Sequence, residues 1–117
     1  QTCALPIWYL IVLKGNEQKL EVNSNLERLR VPDKDAPPNF QWSPNAWYTL
    51  KARVDSNQDG SAVVRAKAWK RGEPEPEKWT LEVPHATGHR NGCPGLYGFA
   101  PNAQRVFIDN VIVTPNN

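Results

Sequence analysis

Residues 46–70, AWYTLKARVDSNQDGSAVVRAKAWK, decide the fold. Two runs of period-two alternation flank SNQDG (56–60), a turn-rich loop whose Gly60 is suited to a positive φ, and this is the pattern of an antiparallel hairpin. On the first run Tyr48, Leu50, Ala52 and Val54 share one face; on the second Ala62, Val64, Ala66 and Ala68 do. The opposite face carries Trp47, Thr49, Lys51 and Arg53, then Val63, Arg65, Lys67 and Trp69. Pairing Val54 with Ala62 predicts Trp47 across from Trp69 and Lys51 across from Arg65.

The same periodicity extends outward in both directions. WYLIVLK (8–14) is a continuous apolar run, as expected of a strand covered on both faces. Gly15-Asn16 predicts a turn, and EQKLEV (17–22) alternates with Leu20 and Val22 inward. NLERLRV (25–31) spaces Leu26 and Leu29 like a helical turn but ends like a strand, and a strand is predicted. Residues 31–45 carry prolines at 32, 37, 38 and 44, which deny backbone donors and predict an irregular connection. RGEPEPEK (71–78) predicts an extended Pro-Glu connector, followed by strands at WTLEV (79–83), LYGF (96–99) and RVFIDNVIVT (105–114). Seven or so short strands with no competing helix predict an all-β, antiparallel sandwich.

Composition narrows the function classes. The 117 residues are of single-domain length, and a net charge of +2 is too mild to imply nucleic-acid binding from overall balance. The longest apolar run, Ile7–Leu13, is strand-sized and far below the roughly 20 residues of a membrane helix. The sequence contains no methionine and opens without a basic segment and apolar signal core.

Several constellations could carry chemistry. DSNQDG (55–60) matches the first half of a calcium loop, with Asp55, Asn57 and Asp59 as ligands, but the twelfth position is Ala66 rather than a bidentate Glu. The simpler expectation is a hairpin loop of local Asx turns. His85, His89 and Cys93 stand four apart, yet Pro84, Gly88, Gly92 and Pro94 argue against the helix that would align them, so a solvated loop without metal is expected. Glu73, Glu75, Glu77, Glu82, Asp33, Asp35 and Asp109 include no pair that the sequence sets across a cleft, and no nucleophile motif is present. No catalytic residue is expected. The basic, aromatic hairpin face is the candidate site: Trp47 and Trp69 offer flat surfaces for sugar rings, and Lys51, Arg53, Arg65 and Lys67 offer donors. The alternative is that both indoles pack under a neighbouring layer while the basic stems snorkel to solvent.

From Trp8 onward the chain resembles the C-terminal part of a concanavalin A-like, laminin-G-type jelly roll. The stretches that carry the likeness are NSNLERLRV, AWYTLKARVDSNQDGSAVVRAKAWKRGEPEPEKWTLEV, GCPGLYGF and VFIDNVIVTPN. The AWKRGEPEPEKW run is similar to the C-terminal domain of large bacterial quinoprotein-like proteins built on a pyrroloquinoline-quinone-type β-propeller. The resemblance implies a non-catalytic accessory domain of an exported, periplasmic or extracellular protein, touching glycans or a propeller domain. The quinone site of such a parent would lie outside this chain, and no cofactor is implied for residues 8–117 beyond the calcium candidate. Glucanases share the fold, but their E-x-D-x-x-E catalytic strand is absent here, so a remnant of a glycoside-acting enzyme is the weaker alternative. Complete domains of this kind are longer, so a partial jelly roll lacking its first strands is expected over residues 8–117. Gln1–Ile7 matches no strand of the family. Its seven residues match the translation of a sequencing adapter, CAG ACG TGT GCT CTT CCG ATC. Residues 1–7 are therefore expected to be adapter-derived and joined to a metagenomic fragment. On that expectation Cys3 does not pair with Cys93, which stands as a lone thiol.

Overall fold

The computed structural model describes residues 8–26 and 28–116. Strands β1 (Tyr9–Lys14), β2 (Lys19–Ser24) and β3 (Arg30–Val31) form one antiparallel sheet in the order β1-β2-β3. Strands β4 (Tyr48–Ser56), β5 (Ala62–Lys70) and β6 (Leu81–His85) form a second in the order β4-β5-β6. Among the described residues there is no helix, so the all-β antiparallel architecture is as expected.

Each sheet centres on its middle strand, β2 in the first and β5 in the second. Leu20 and Val22 of β2 meet Val64 and Ala66 of β5 and Val83 of β6 in the core, with Tyr9, Ile11, Leu13, Leu29, Val31, Phe40, Val54 and Leu81 packed around them. The alanines at 62, 66 and 68 are buried, and their small side chains let the second sheet approach closely.

The 31–45 connection compensates for its prolines with side chains. Asn39 accepts from the Leu20 amide (2.7 Å) and donates to the Leu20 carbonyl (2.9 Å), while Asn39 and Phe40 both donate backbone N–H to Gln18 O. Lys19 Nζ donates to the carbonyls of Asp33 and Lys34, which satisfies an ammonium that is buried. Gly15 lies under the Trp42 ring, where an added Cβ would come within 2.6 Å of the indole.

A histidine cluster ties the two sheets together. Tyr9 Oη (β1) lies 2.6 Å from His85 Nδ1 (β6) and accepts the His89 backbone N–H at 3.3 Å. His89 Nε2 reaches Ser24 Oγ (β2) at 2.8 Å and the Trp8 carbonyl at 3.1 Å. The solvated loop expected around these histidines is therefore corrected: β6 runs to His85, whose alternation with Val83 turns the ring inward and buries it. Cys93 is corrected too, because it is disulfide-bonded rather than a lone thiol. Cys3 and the rest of Gln1–Ile7 lie outside the described residues.

Other differences are in extent and register. The expected strand at 25–31 contracts to Arg30–Val31, and β6 begins at Leu81 rather than Trp79. Val54 pairs with Val64, not Ala62, so Thr49 faces Trp69, Lys51 faces Lys67 and Arg53 faces Arg65. A slip of two residues keeps every side chain on its expected face. Residues 96–99 and 105–114 form no strand; their apolar side chains, from Leu96 to Val113, are 50–83% exposed. Strand composition without a partner edge produces no ladder. The tail meets β4 through Asn116, whose Nδ2 donates to Val54 O at 2.6 Å.

Candidate binding face

The outward face of the β4-β5 hairpin collects all six residues singled out by sequence, together with two that sequence reasoning passed over. Trp47 immediately precedes β4 and is 46% exposed. Its carbonyl accepts the Arg71 N–H at 2.9 Å, continuing the hairpin contact one step past the Tyr48–Lys70 pair, so Trp47 stands diagonal to Trp69 rather than opposite it. Trp69, on β5, is half-buried.

Lys67 sits beneath this surface, only 4% exposed. Its Nζ lies 4.7 Å from the centroid of Trp79 and 5.9 Å from that of Trp69, within cation–π range of both rings. The same ammonium donates to the Pro76 carbonyl at 2.6 Å and pairs with Glu75 Oε2 at 2.8 Å. Lys51 pairs with the same oxygen, at 3.0 Å from Oε2, and reaches Oε1 at 3.4 Å. The Pro-Glu connector thus folds over the sheet, with one glutamate bridging two lysines that the register places face to face. The two lysines, Lys67 first, hold the Glu75 carboxyl below the usual carboxylate range.

The remaining cations are compensated as well. Arg53 Nε donates to both oxygens of Asp55, and Arg65 Nη1 reaches Asp55 Oδ2 at 2.8 Å while its Nε pairs with Glu82 at 3.2 Å. The Arg53 guanidinium, with Arg65 behind it, holds the Asp55 carboxyl low despite partial desolvation, and Asp55 in turn raises Arg53. An open stripe of four donors was expected; three carboxylates, Asp55, Glu75 and Glu82, occupy it instead. The surface that remains is an exposed indole at Trp47, two half-buried indoles at Trp69 and Trp79, and the partly exposed Lys51–Glu75 pair.

Trp79 and Glu75 were legible as residue types but not as partners, because an eight-residue Pro-rich connector separates Lys70 from Trp79 and only its folded path brings Trp79 over Lys67. The calcium candidates are engaged separately. Asp55 is held by the two arginines, Asn57 Nδ2 donates to Ser61 Oγ, and Asp59 Oδ1 accepts from the Ser61 hydroxyl and then its backbone amide, which lower its pKa in that order. Gly60, at φ +93°, closes this loop as expected. No protein-family model, curated protein or solved structure matches the chain.

Proposed function

We propose that this chain is a non-catalytic accessory module, a partial concanavalin A-like jelly roll of a larger exported bacterial protein, that holds a polysaccharide against the Trp47 end of the β4-β5 face. The observation that carries this reading is the half-exposed Trp47 indole beside the half-buried Trp69 and Trp79 pair. Rings of this kind stack on the C–H faces of sugars, and partly exposed indoles retain apolar area for a ligand to cover. With its cations neutralised by carboxylates, the face suits a ligand bound by stacking and hydroxyl hydrogen bonds rather than by charge. A glycan array should show binding that Trp47→Ala weakens at least tenfold without altering the far-ultraviolet circular dichroism. Array signals that Trp47→Ala leaves unchanged would remove this face from consideration.

A second reading rests on the tail. Leu96, Tyr97, Phe99, Val106, Phe107, Ile108, Val111, Ile112 and Val113 are all exposed, an apolar concentration that suits packing against a neighbouring β-propeller domain. Absence of any glycan binding, with the tail protected from proteolysis only in the presence of the propeller, would favour this structural role.

A further inference from the structure

The outward face of the second sheet continues past its ion pairs. Beyond Arg65 the same pleat carries Val63 on β5, which the register sets between Asp55 on β4 and Pro84 on β6. Side chains directly opposite one another on antiparallel strands share a face, so Val63 and Pro84 stand on the side that carries Lys51, Arg53 and Trp69. Both line a hollow of about 390 Å³, together with Asn57, Ser61 and Ala86. The His85 ring borders it as well but is buried and turned toward Tyr9.

The chemistry of this hollow suits an uncharged sugar ring. Val63 and Pro84 supply an apolar floor, and no carboxylate, guanidinium or ammonium lines it. At the rim Asn57 is exposed and spends its Nδ2 on Ser61 Oγ at 2.9 Å, which leaves its Oδ1 open to a hydroxyl donor. Between the hollow and Trp47 lie the pairs Lys51–Glu75, Arg53–Asp55 and Arg65–Glu82, with side chains still 27–56% exposed. An acidic chain would meet three carboxylates there and a basic chain three cations, whereas hydroxyls both donate to the one and accept from the other. From Trp47 to Asp55, which pairs with Val63, the backbone advances eight residues, roughly 26 Å at ~3.3 Å each, the length of about five β-1,4-linked hexoses. Equatorial β-1,4 linkages keep such a chain straight, so that it can follow a strand from one end to the other.

We propose that the Val63–Pro84 hollow is the distal subsite of the Trp47 face, and that the two together hold one extended, neutral β-1,4-linked polysaccharide chain. One ring stacks on Trp47, the hydroxyls between lie on the three ion pairs, and a ring at the far end sits on Val63 and Pro84 with a hydroxyl donating to Asn57 Oδ1. This proposal rests on the Trp47 reading and adds to it a second subsite and a chain length.

The test is a nuclear magnetic resonance titration of the isotopically labelled chain with the β-1,4-linked hexaoses of glucose, mannose and xylose, and with the corresponding bioses. The Trp47 indole, identified by Trp47→Phe, reports the near subsite; the Val63 and Ala86 amides report the far one. At least one hexaose should shift both sets of reporters saturably with a single dissociation constant. Its biose should bind at least tenfold more weakly. Val63→Lys, which fills the hollow with a polar chain, and Ala86→Gln, which narrows it from outside the sheet, should each bring the hexaose close to biose affinity while leaving the biose unchanged at Trp47. A hexaose that shifts Trp47 but neither far amide, or that binds no tighter than its biose, would overturn the distal subsite and leave the Trp47 face standing. Hexaoses that shift neither end would overturn the proposal as well, and the array response to Trp47→Ala would then judge the near face by itself.

Discussion

Gly88→Ala is expected to destabilise the protein by about 1–3 kcal/mol, the range for forcing added volume into a closed contact, and to lower its thermal midpoint by several degrees. Gly88 donates its N–H to the Gly60 carbonyl at 2.8 Å, which presses the segment after β6 against the start of β5. A Cβ at this position would lie 2.5 Å from Ala62 Cβ and 3.0 Å from the Ala62 amide nitrogen. Ala62 is buried and its backbone belongs to β5, paired on one side with Ser56 and on the other with His85, so it cannot yield. The segment 86–89 must lift instead, and His89 lifts with it, giving up Ser24, the Trp8 carbonyl and the Tyr9 hydroxyl together. The control is internal. Gly92 and Gly95 have nothing within 4 Å of a built Cβ, so alanine at either should leave the midpoint nearly unchanged. A Gly88→Ala protein as stable as Gly95→Ala would show that this contact does not join the sheets.

How much of this was legible in sequence depends on the range of the interaction. The period-two pattern of Tyr48–Val54 and Ala62–Ala68 placed every hairpin side chain on its observed face, because β5 buries Ala62, Val64, Ala66 and Ala68 and a slip of one residue would set their face against the wrong face of β4, although Leu50 and Ala52 on β4 stay exposed. It could not exclude a slip of two. That choice falls to the loop, where the Asn57 amide donates to Ser61 O at 2.8 Å and Gly60 N donates to Asn57 O, closing the hairpin at the Ser56–Ala62 pair. The resulting Lys51–Lys67 pair reads as a repulsion until Glu75 is placed between them, and Glu75 arrives through a connector with no periodicity to read. The tail shows the opposite failure. RVFIDNVIVT has every local mark of a strand, yet strand composition describes a surface that fits a ladder and does not supply the neighbour. His85 was misplaced for a related reason: Pro84 and the glycines after it signalled a loop, while Pro84 pairs at a position of β6 opposite Val63 and the strand simply continues past it.

Acidification through the imidazole range is expected to loosen the same junction. The Trp8 carbonyl can only accept, so His89 Nε2 carries a hydrogen shared between that carbonyl and Ser24 Oγ, and an added proton must go to Nδ1. Desolvation lowers the His89 pKa from its ordinary value near 6.5; the bond to the Trp8 carbonyl opposes this, and the neighbouring His85 ring adds to the lowering. The groups facing His89 are Tyr9 from β1, Ser24 from β2 and His85 from β6, whose ring centroid is 5.7 Å away. Among the described residues no carboxylate pairs with it to welcome the charge. A histidine whose folded pKa is lowered binds its proton more readily when unfolded. Its contribution is therefore complete above about pH 6.5 and falls away as the pH drops from there toward the lowered folded value. Asp55, Asp59 and Glu75 act in a separate window: their folded pKa values are lowered, so their contribution persists until the pH falls below the ordinary carboxylate values near 4. Urea midpoints measured from pH 7.5 to pH 5 should decline in the wild-type protein. His89→Gln keeps an amide donor for Ser24 and the Trp8 carbonyl but cannot be protonated, and its decline over the same range should be visibly shallower. Below pH 4 the two proteins should lose stability in parallel. Identical slopes between pH 7.5 and pH 5 would mean that His89 takes up its proton without disturbing the junction, and that the sheets are held there by apolar contact alone.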